Sequence, residues 1–253
     1  MLSLAEREEL YRGRLITGTV AQVSLGDEVW ARIREEFGVE PRAYRGEDFL
    51  TRLNALRQRL CAPEWRERCR AFLTSLGLDP AQFLVDRFRL RGLAPGADTI
   101  PAAAAAFYAH RDCWYANPQN QINLWLPLHD VDGSNSFGFY PEFFERPVEN
   151  DSERFEYHQF VSGGGFQSTV QDLVHPRWLT EPLPDPSYKV ELRRGQFLLF
   201  SASHLHASLP NRSGCIRFSL DLRLVHLADR AAGLGAPGCD NRSRGDASID
   251  YIW

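Results

Sequence analysis

Residues 195–225 read GQFLLFSASHLHASLPNRSGCIRFSLDLRLV, and the second half alternates more cleanly than any other part of the chain. Successive side chains of an extended strand point to opposite faces. Ile216, Phe218, Leu220, Leu222 and Leu224 therefore share one face, and Arg217, Ser219, Asp221 and Arg223 share the other. One side packs on apolar neighbours and the other lines something polar. Pro210-Asn211-Arg212-Ser213-Gly214 forms the turn before it, and Phe197 to Phe200, opened by Gly195, reads as a short buried strand.

Working outward, the same period of two recurs upstream. Phe88 and Leu90 alternate with Arg87, Arg89 and Arg91, and Ile122, Leu124, Leu126 and Leu128 alternate with Asn123, Trp125 and Pro127. A turn over Asp132-Gly133-Ser134-Asn135 leads into a return strand at Phe137 and Phe139. The first 80 residues follow a helical period instead. Ser3 and Glu6 make a capping box, and Ser24 before Asp27 and Glu28 starts a helix that stops near Gly38. Phe49, Leu50, Leu53, Leu56 and Leu60 form one stripe. Trp65, Cys69, Phe72 and Leu76 form another behind Pro63, in a helix that Gly77 and Pro80 end.

The expected architecture is mainly β with α: one catalytic domain, an antiparallel double-sheet roll with helices on one side. Residues 1–80 are the helical buttress, and 83–141 with 188–226 build the roll. Residues 142–187, rich in Pro, Gly, Asn and Asp, read as a lid or pocket wall. Residues 227–253 read as an irregular tail.

Composition narrows the function. The chain has 253 residues, a formal charge of −4 and arginines scattered among acids, which argues against nucleic acid as a partner. Five cysteines without a C-x-x-C pair read as free thiols of a reducing cytoplasm. The charged N-terminus has no signal-peptide core, and the mild run from Ala102 to Ala109 is too short to span a bilayer. A single lysine, Lys189, limits Schiff-base chemistry to one position and makes arginine the natural carboxylate anchor.

The chemistry concentrates on His110-Arg111-Asp112. In an extended segment His110 and Asp112 point the same way, and an imidazole beside a carboxylate can fill two positions of a divalent metal. A third ligand from far along the chain would complete the two-histidine, one-carboxylate facial triad of non-haem iron oxygenases. With seven histidines in the chain, roughly one His-x-acid triplet arises by chance, so the pattern depends on its downstream half. His204 and His206 both lie at a strand end, where small barrels place ligands at the mouth. Arg217 follows on the polar face, a forked guanidinium suited to the far carboxylate of a dicarboxylic co-substrate, with Ser208 as a second donor. An internal ion pair between Arg217 and Asp221 is the competing structural role for that arginine.

These segments resemble the phytanoyl-CoA dioxygenase-like branch of the Fe(II)/2-oxoglutarate oxygenases. The likeness lies in H-x-D, the strand QINLWLPLHDVDGSNSFGFYP, GQFLLF, and a distal histidine followed by the Ser208, Asn211 and Arg217 offsets. It covers residues 107–141 and 195–225. The resemblance implies a double-stranded β-helix, a distorted jelly roll of cupin-like form. Its implied iron ligands are His110, Asp112 and His206, the last preferred to His204 for its offsets. It places Arg217, Ser208, Trp125 and Asn123 at the 2-oxoglutarate. Fe(II), 2-oxoglutarate and O₂ are the implied cofactors, and the implied reaction oxidises an unactivated C–H with release of succinate and CO₂. Halogenating relatives carry Gly or Ala where Asp112 stands, so this chain is expected to hydroxylate, or to desaturate or cyclise by the same oxidant. A cupin-type metal-dependent isomerase is the rival reading. The family's PGSH after the return strand reads PEFFERP here, so the substrate side differs. Arg89, Arg111, Trp114, Tyr115 and Arg223 are candidates to line a pocket for a small metabolite or natural-product intermediate.

Overall fold

A computed structural model of the chain describes residues 2–20, 25–38, 46–165 and 173–251. Helix α1 (Leu4–Tyr11) is followed by strand β1 (Ile16–Thr19) and helices α2 (Leu25–Phe37), α3 (Gly46–Arg59) and α4 (Pro63–Ser75). The strands β2 (Phe83–Val85), β3 (Arg89–Leu93), β4 (Gln121–Pro127) and β5 (Phe137–Phe139) come next. Beyond the short helix α5 (Tyr157–Ser162) lie β6 (Tyr188–Lys189), β7 (Gln196–Ser201), β8 (His206–Ser208), β9 (Arg217–His226) and helix α6 (Leu227–Ala231). Two antiparallel sheets result. The larger runs β1–β7–β4–β9–β2, with β3 also paired to β9, and the smaller runs β6–β5–β8.

The alternating stretch becomes β9, the longest strand. Its first half pairs with β3 (Arg89 opposite Asp221) and its last residues pair with β2 (Phe83 opposite His226). Its apolar face, Phe218 to Leu224, is fully buried against helices α2 to α4. Phe218 meets Phe37, Phe49 and Trp30 at ring distances of 5.6, 6.4 and 6.3 Å. Each such side chain contributes roughly 1.5–3 kcal/mol on burial, and the helical stripes cover this face. Gly92 on β3 makes the approach possible, since a Cβ there would lie 2.9 Å from the Phe49 ring. The other face of β9 looks into the roll, toward Trp125 on β4 and the cluster of Phe137, Phe139, Leu198 and Phe200.

The chain's two ends are tied to this frame. Ser3 and Glu6 form the expected capping box of α1. Arg7 on that helix forks onto Asp229 of α6, with Nε to Oδ2 at 2.6 Å and Nη2 to Oδ1 at 2.8 Å. Tyr11 adds a third donor to the same carboxylate. Pro63 opens α4 at its first turn, whereas the cap expected at Ser24 lies outside the described residues.

Several expectations change in detail. Phe88 falls in a break between β2 and β3, because the edge of β9 is shared by two short strands. Residues 142–187 hold α5 and 3₁₀ turns, and their beginning is built into the packing around Arg111. Its guanidinium donates to the carbonyls of Phe143, Phe144 and Arg146. The tail carries α6 and then runs along residues 111–117 through specific hydrogen bonds, so it is ordered by contact and not by periodicity.

Candidate metal centre

His110 and His206 sit directly opposite each other in an isolated antiparallel bridge. The amide of each donates to the other's carbonyl, at 2.9 and 3.0 Å. Asp112 begins a 3₁₀ turn instead of continuing the strand, yet its side chain stays on the His110 side. The result is a cluster of His110, Asp112 and His206 whose ligand atoms all lie within 4.8 Å of one another. His110 Nε2 is 3.6 Å from Asp112 Oδ1, and the two imidazole rings are 4.5 Å apart.

Proton placement suits a metal. His110 Nδ1 lies 2.8 Å from the Tyr108 carbonyl, and His206 Nδ1 lies 3.0 Å from the His204 carbonyl. A carbonyl only accepts, so each Nδ1 carries the proton and each Nε2 keeps its lone pair. Burial, with His110 nearby, pushes the His206 pKa down to about 4 against the opposing pull of Asp112, so the ring is neutral at neutral pH. Burial alone would raise Asp112. The His110 contact and the charge of Arg223 outweigh it and hold the carboxyl well below its usual range. Asp112 Oδ2 accepts from Asn123 Nδ2 at 2.6 Å, which leaves Oδ1 toward the histidines. Two imidazole lone pairs and one carboxylate oxygen on one side of a space fit a divalent ion with open positions.

Arg217, the first residue of β9, lies on the inward face of the larger sheet. It is 6% exposed, and it makes no hydrogen bond or ion pair with any described residue. Its guanidinium lies 5.9 Å from the centre of the Trp125 ring. Asp221, the expected internal partner, is instead bonded to Arg91 at 2.7 Å. Burial lowers the Arg217 pKa to about 10, which still leaves a cation. A buried cation without a partner is costly, and a carboxylate from a ligand would satisfy it. Ser208 stands half-buried on β8 opposite Phe137.

The other sequence candidates divide. Tyr115 stacks edge-on against His110 at 5.5 Å. Arg223 lies between Asp86 at 3.7 Å and Asp112 at 4.0 Å, and those carboxylates raise its pKa although burial opposes them. Arg89 is one partner further away, bonded to Asp86. Arg111 and Trp114 turn away from the site. The alternation that puts His110 and Asp112 on one side sends Arg111 to the other, where it is 1% exposed and bonds Asp240 and the Ser203 carbonyl. Trp114 Nε1 donates to the same Asp240 at 2.8 Å. Asn123, expected at the co-substrate, is bonded to Asp112.

His204, the alternative to His206 in the sequence, is in the core, 4.6 Å from the Phe144 ring and 5.0 Å from Phe139. Burial pushes its pKa down to about 3. His226, at the end of β9, is buried against Phe83. The sequence reading missed Asn117, which donates to the Asp112 carbonyl, and Gln121, which donates to Asn123. The polar alternation of Gln121 and Asn123 on an otherwise apolar strand was the available signal.

A family model described as phytanoyl-CoA dioxygenase matches residues 28–219. No curated protein matches the chain. Similar solved structures include EvdO2 from Micromonospora carbonacea var. aurantiaca complexed with 2-oxoglutarate, at 16% identity and a TM-score of 0.48 over 100% of this chain and 98% of that one. AviO1 from Streptomyces viridochromogenes Tue57 is 15% identical, with a TM-score of 0.43 over 90% of this chain and 97% of that one. The epimerase SnoN, in complex with Fe³⁺, alpha ketoglutarate and nogalamycin RO, is 16% identical, with a TM-score of 0.46 over 88% and 85%. Among the described residues no helix is long and apolar enough to cross a membrane.

Proposed function

This chain belongs to the phytanoyl-CoA dioxygenase family, and we propose that it hydroxylates an unactivated C–H bond of a small metabolite or natural-product intermediate. It is an oxygenase-type enzyme, and its cofactors are Fe(II), 2-oxoglutarate and O₂. The observation that carries the reading is the pairing of a His-Asp-His cluster with an unpartnered buried arginine, Arg217, on the inner face of the roll.

His110 and His206 would hold the iron through Nε2, and Asp112 through Oδ1. Bound Fe(II) supplies the coupling of O₂ reduction to oxidative decarboxylation of 2-oxoglutarate and oxidation of a C–H bond. The protein's part is positioning. Arg217 and Ser208 grip the distal carboxylate of 2-oxoglutarate, and Trp125 walls the space beside it. Tyr115, backed by Phe155 and Phe160 at 5.2 and 6.0 Å, covers the His110 side and excludes water from the reacting atoms. Arg223 stands next to Asp112 where it can meet an incoming polar group, and Arg89 lies just beyond it. Of the segment 142–187 expected as a lid, Phe155 and Phe160 supply the part that covers this mouth.

An anaerobic optical titration tests the reading. Fe(II) followed by 2-oxoglutarate should produce a weak visible charge-transfer band that requires both additions and weakens in Arg217→Ala. Succinate release, screened over amino acids and small acids, then identifies the substrate. If metal binds and 2-oxoglutarate produces no band, the oxygenase reading fails and a cupin-type isomerase takes its place.

A further inference from the structure

The loop that carries Asp112 is laid against the C-terminal segment, which neither the motif nor the metal ligands include. Asp240 receives Arg111 and Trp114, and Ser243 Oγ receives the Ala116 amide at 3.1 Å. The Ala247 amide donates to the Ala116 carbonyl at 2.9 Å. Ala116 itself adopts a left-handed conformation, φ 59°, which a non-glycine residue holds only when its surroundings fix it. At the end of the segment Tyr251 enters the interior, and its hydroxyl donates to Gln121 Oε1 and faces Asn117 Oδ1 at 3.3 Å.

From there the bonds run in one direction. Gln121 Nε2 donates to Asn123 Oδ1 at 2.8 Å, and Asn123 Nδ2 donates to Asp112 Oδ2 at 2.6 Å. A parallel arm runs through Asn117, whose Nδ2 donates to the Asp112 carbonyl at 2.8 Å. Each amide accepts on the Tyr251 side and donates on the Asp112 side. Amide groups flip readily between their two orientations, and only the hydrogen-bond network selects one. Here the phenol at the head of the chain is the donor that selects it, and burial raises its pKa above the usual value, so it remains protonated. Burying two amides in series and a third beside them is costly unless every one is satisfied. Apolar side chains would fill the same space without that requirement. The arrangement makes sense if its product is an N–H aimed at Asp112.

We infer that Tyr251 and Gln121 are positioning residues of the metal centre: through Asn123 they pin Asp112 Oδ2 and so present Oδ1 to the ion. The inference rests on the metal reading given above. Without the Tyr251 hydroxyl, Gln121 and Asn123 are free to flip, which turns an amide oxygen against the carboxylate. Loss of a partner bonded directly to a metal ligand, as Asn123 is to Asp112, typically changes metal affinity by about 10–100-fold.

The test is a Co(II) titration of the full chain without 2-oxoglutarate, read by visible absorption. Tyr251→Phe and Gln121→Leu should each weaken Co(II) binding about tenfold or more, and the double variant should be no worse than the weaker single, since both break one chain. Arg242→Ala is the control. It loosens the same segment, where Arg242 bonds the Asn150 carbonyl and Glu153, so it should lower the melting temperature and leave Co(II) affinity unchanged. Equal Co(II) affinity in wild type and Tyr251→Phe, or an equal loss in Arg242→Ala, would overturn the inference and leave the metal reading intact. Failure of the wild type to bind Co(II) overturns both.

Discussion

Arg7 and Arg217 are buried to the same degree, 7% and 6% exposed, and their surroundings are opposite. Arg7 is bidentate to Asp229 and also donates to the Leu2 carbonyl at 2.9 Å, so its fork is filled. Arg217 has nothing comparable among the described residues. Both were taken out of water at a cost of several kcal/mol per ion, and only one recovers it within the chain. A filled arginine ties α1 to α6, the helix that follows β9. An unfilled one, on the inner face of the roll beside Trp125, is the proposed anchor for a ligand's charge. Burial alone does not distinguish architecture from site; the count of satisfied donors does.

The largest effect that would sharpen this contrast is on stability. Arg7→Met should destabilise the protein by about 3 kcal/mol or more, because it leaves Asp229 buried without its partner, as measured by urea unfolding. Arg217→Met should leave unfolding free energy unchanged or higher and weaken 2-oxoglutarate binding at least about 30-fold, some 2 kcal/mol, by anaerobic calorimetry with the metal present. A destabilised Arg217→Met with normal co-substrate affinity would break the contrast, since the arginine would then be structural.

The smallest effect concerns pH. Burial would raise the Asp229 pKa, but hydrogen bonds from Arg7 and Tyr11 outweigh it and leave the carboxyl below its ordinary value. The unfolded chain then binds more protons than the folded one, so this group stabilises above the unfolded pKa, near 3.9, and the benefit is lost as pH falls through the folded value. The stability gap between wild type and Arg7→Met should therefore narrow below about pH 4. A gap that stays constant down to pH 3 would mean that Asp229 does not carry it.

Much of the fold was legible because local burial writes itself into periodicity. The alternation of Ile216 to Leu224 marked β9 and its two faces, and the stripes through Leu53 and Phe72 marked the helices that cover it. The three residues His110, Asp112 and His206, read as ligands from their motifs, are brought together by the fold. What the sequence hid are pairings between distant residues that follow no period. Arg7 and Asp229 are 222 positions apart, and nothing near either of them announces the other. Arg217 and Asp221 looked like partners by spacing, yet Arg91 on β3 takes the carboxylate. The tail looked irregular because its order comes from side-chain bonds to residues 111–117, which have no repeat to detect. Arg111 was misread for a simpler reason: the alternation that favoured its two neighbours already placed it on the opposite side.

The reciprocal bridge between His110 and His206 has a further consequence. On the proposed ligand assignment, a metal would meet a preassembled chelate, in which two donors from opposite halves of the chain already share one backbone link. Loading the ion then requires little ordering of the chain, so most of the entropic cost of gathering the donors falls on folding and not on metal capture. Emptying and refilling the centre should accordingly leave the roll intact, and the competition between ions is decided by the size and geometry of a fixed jaw.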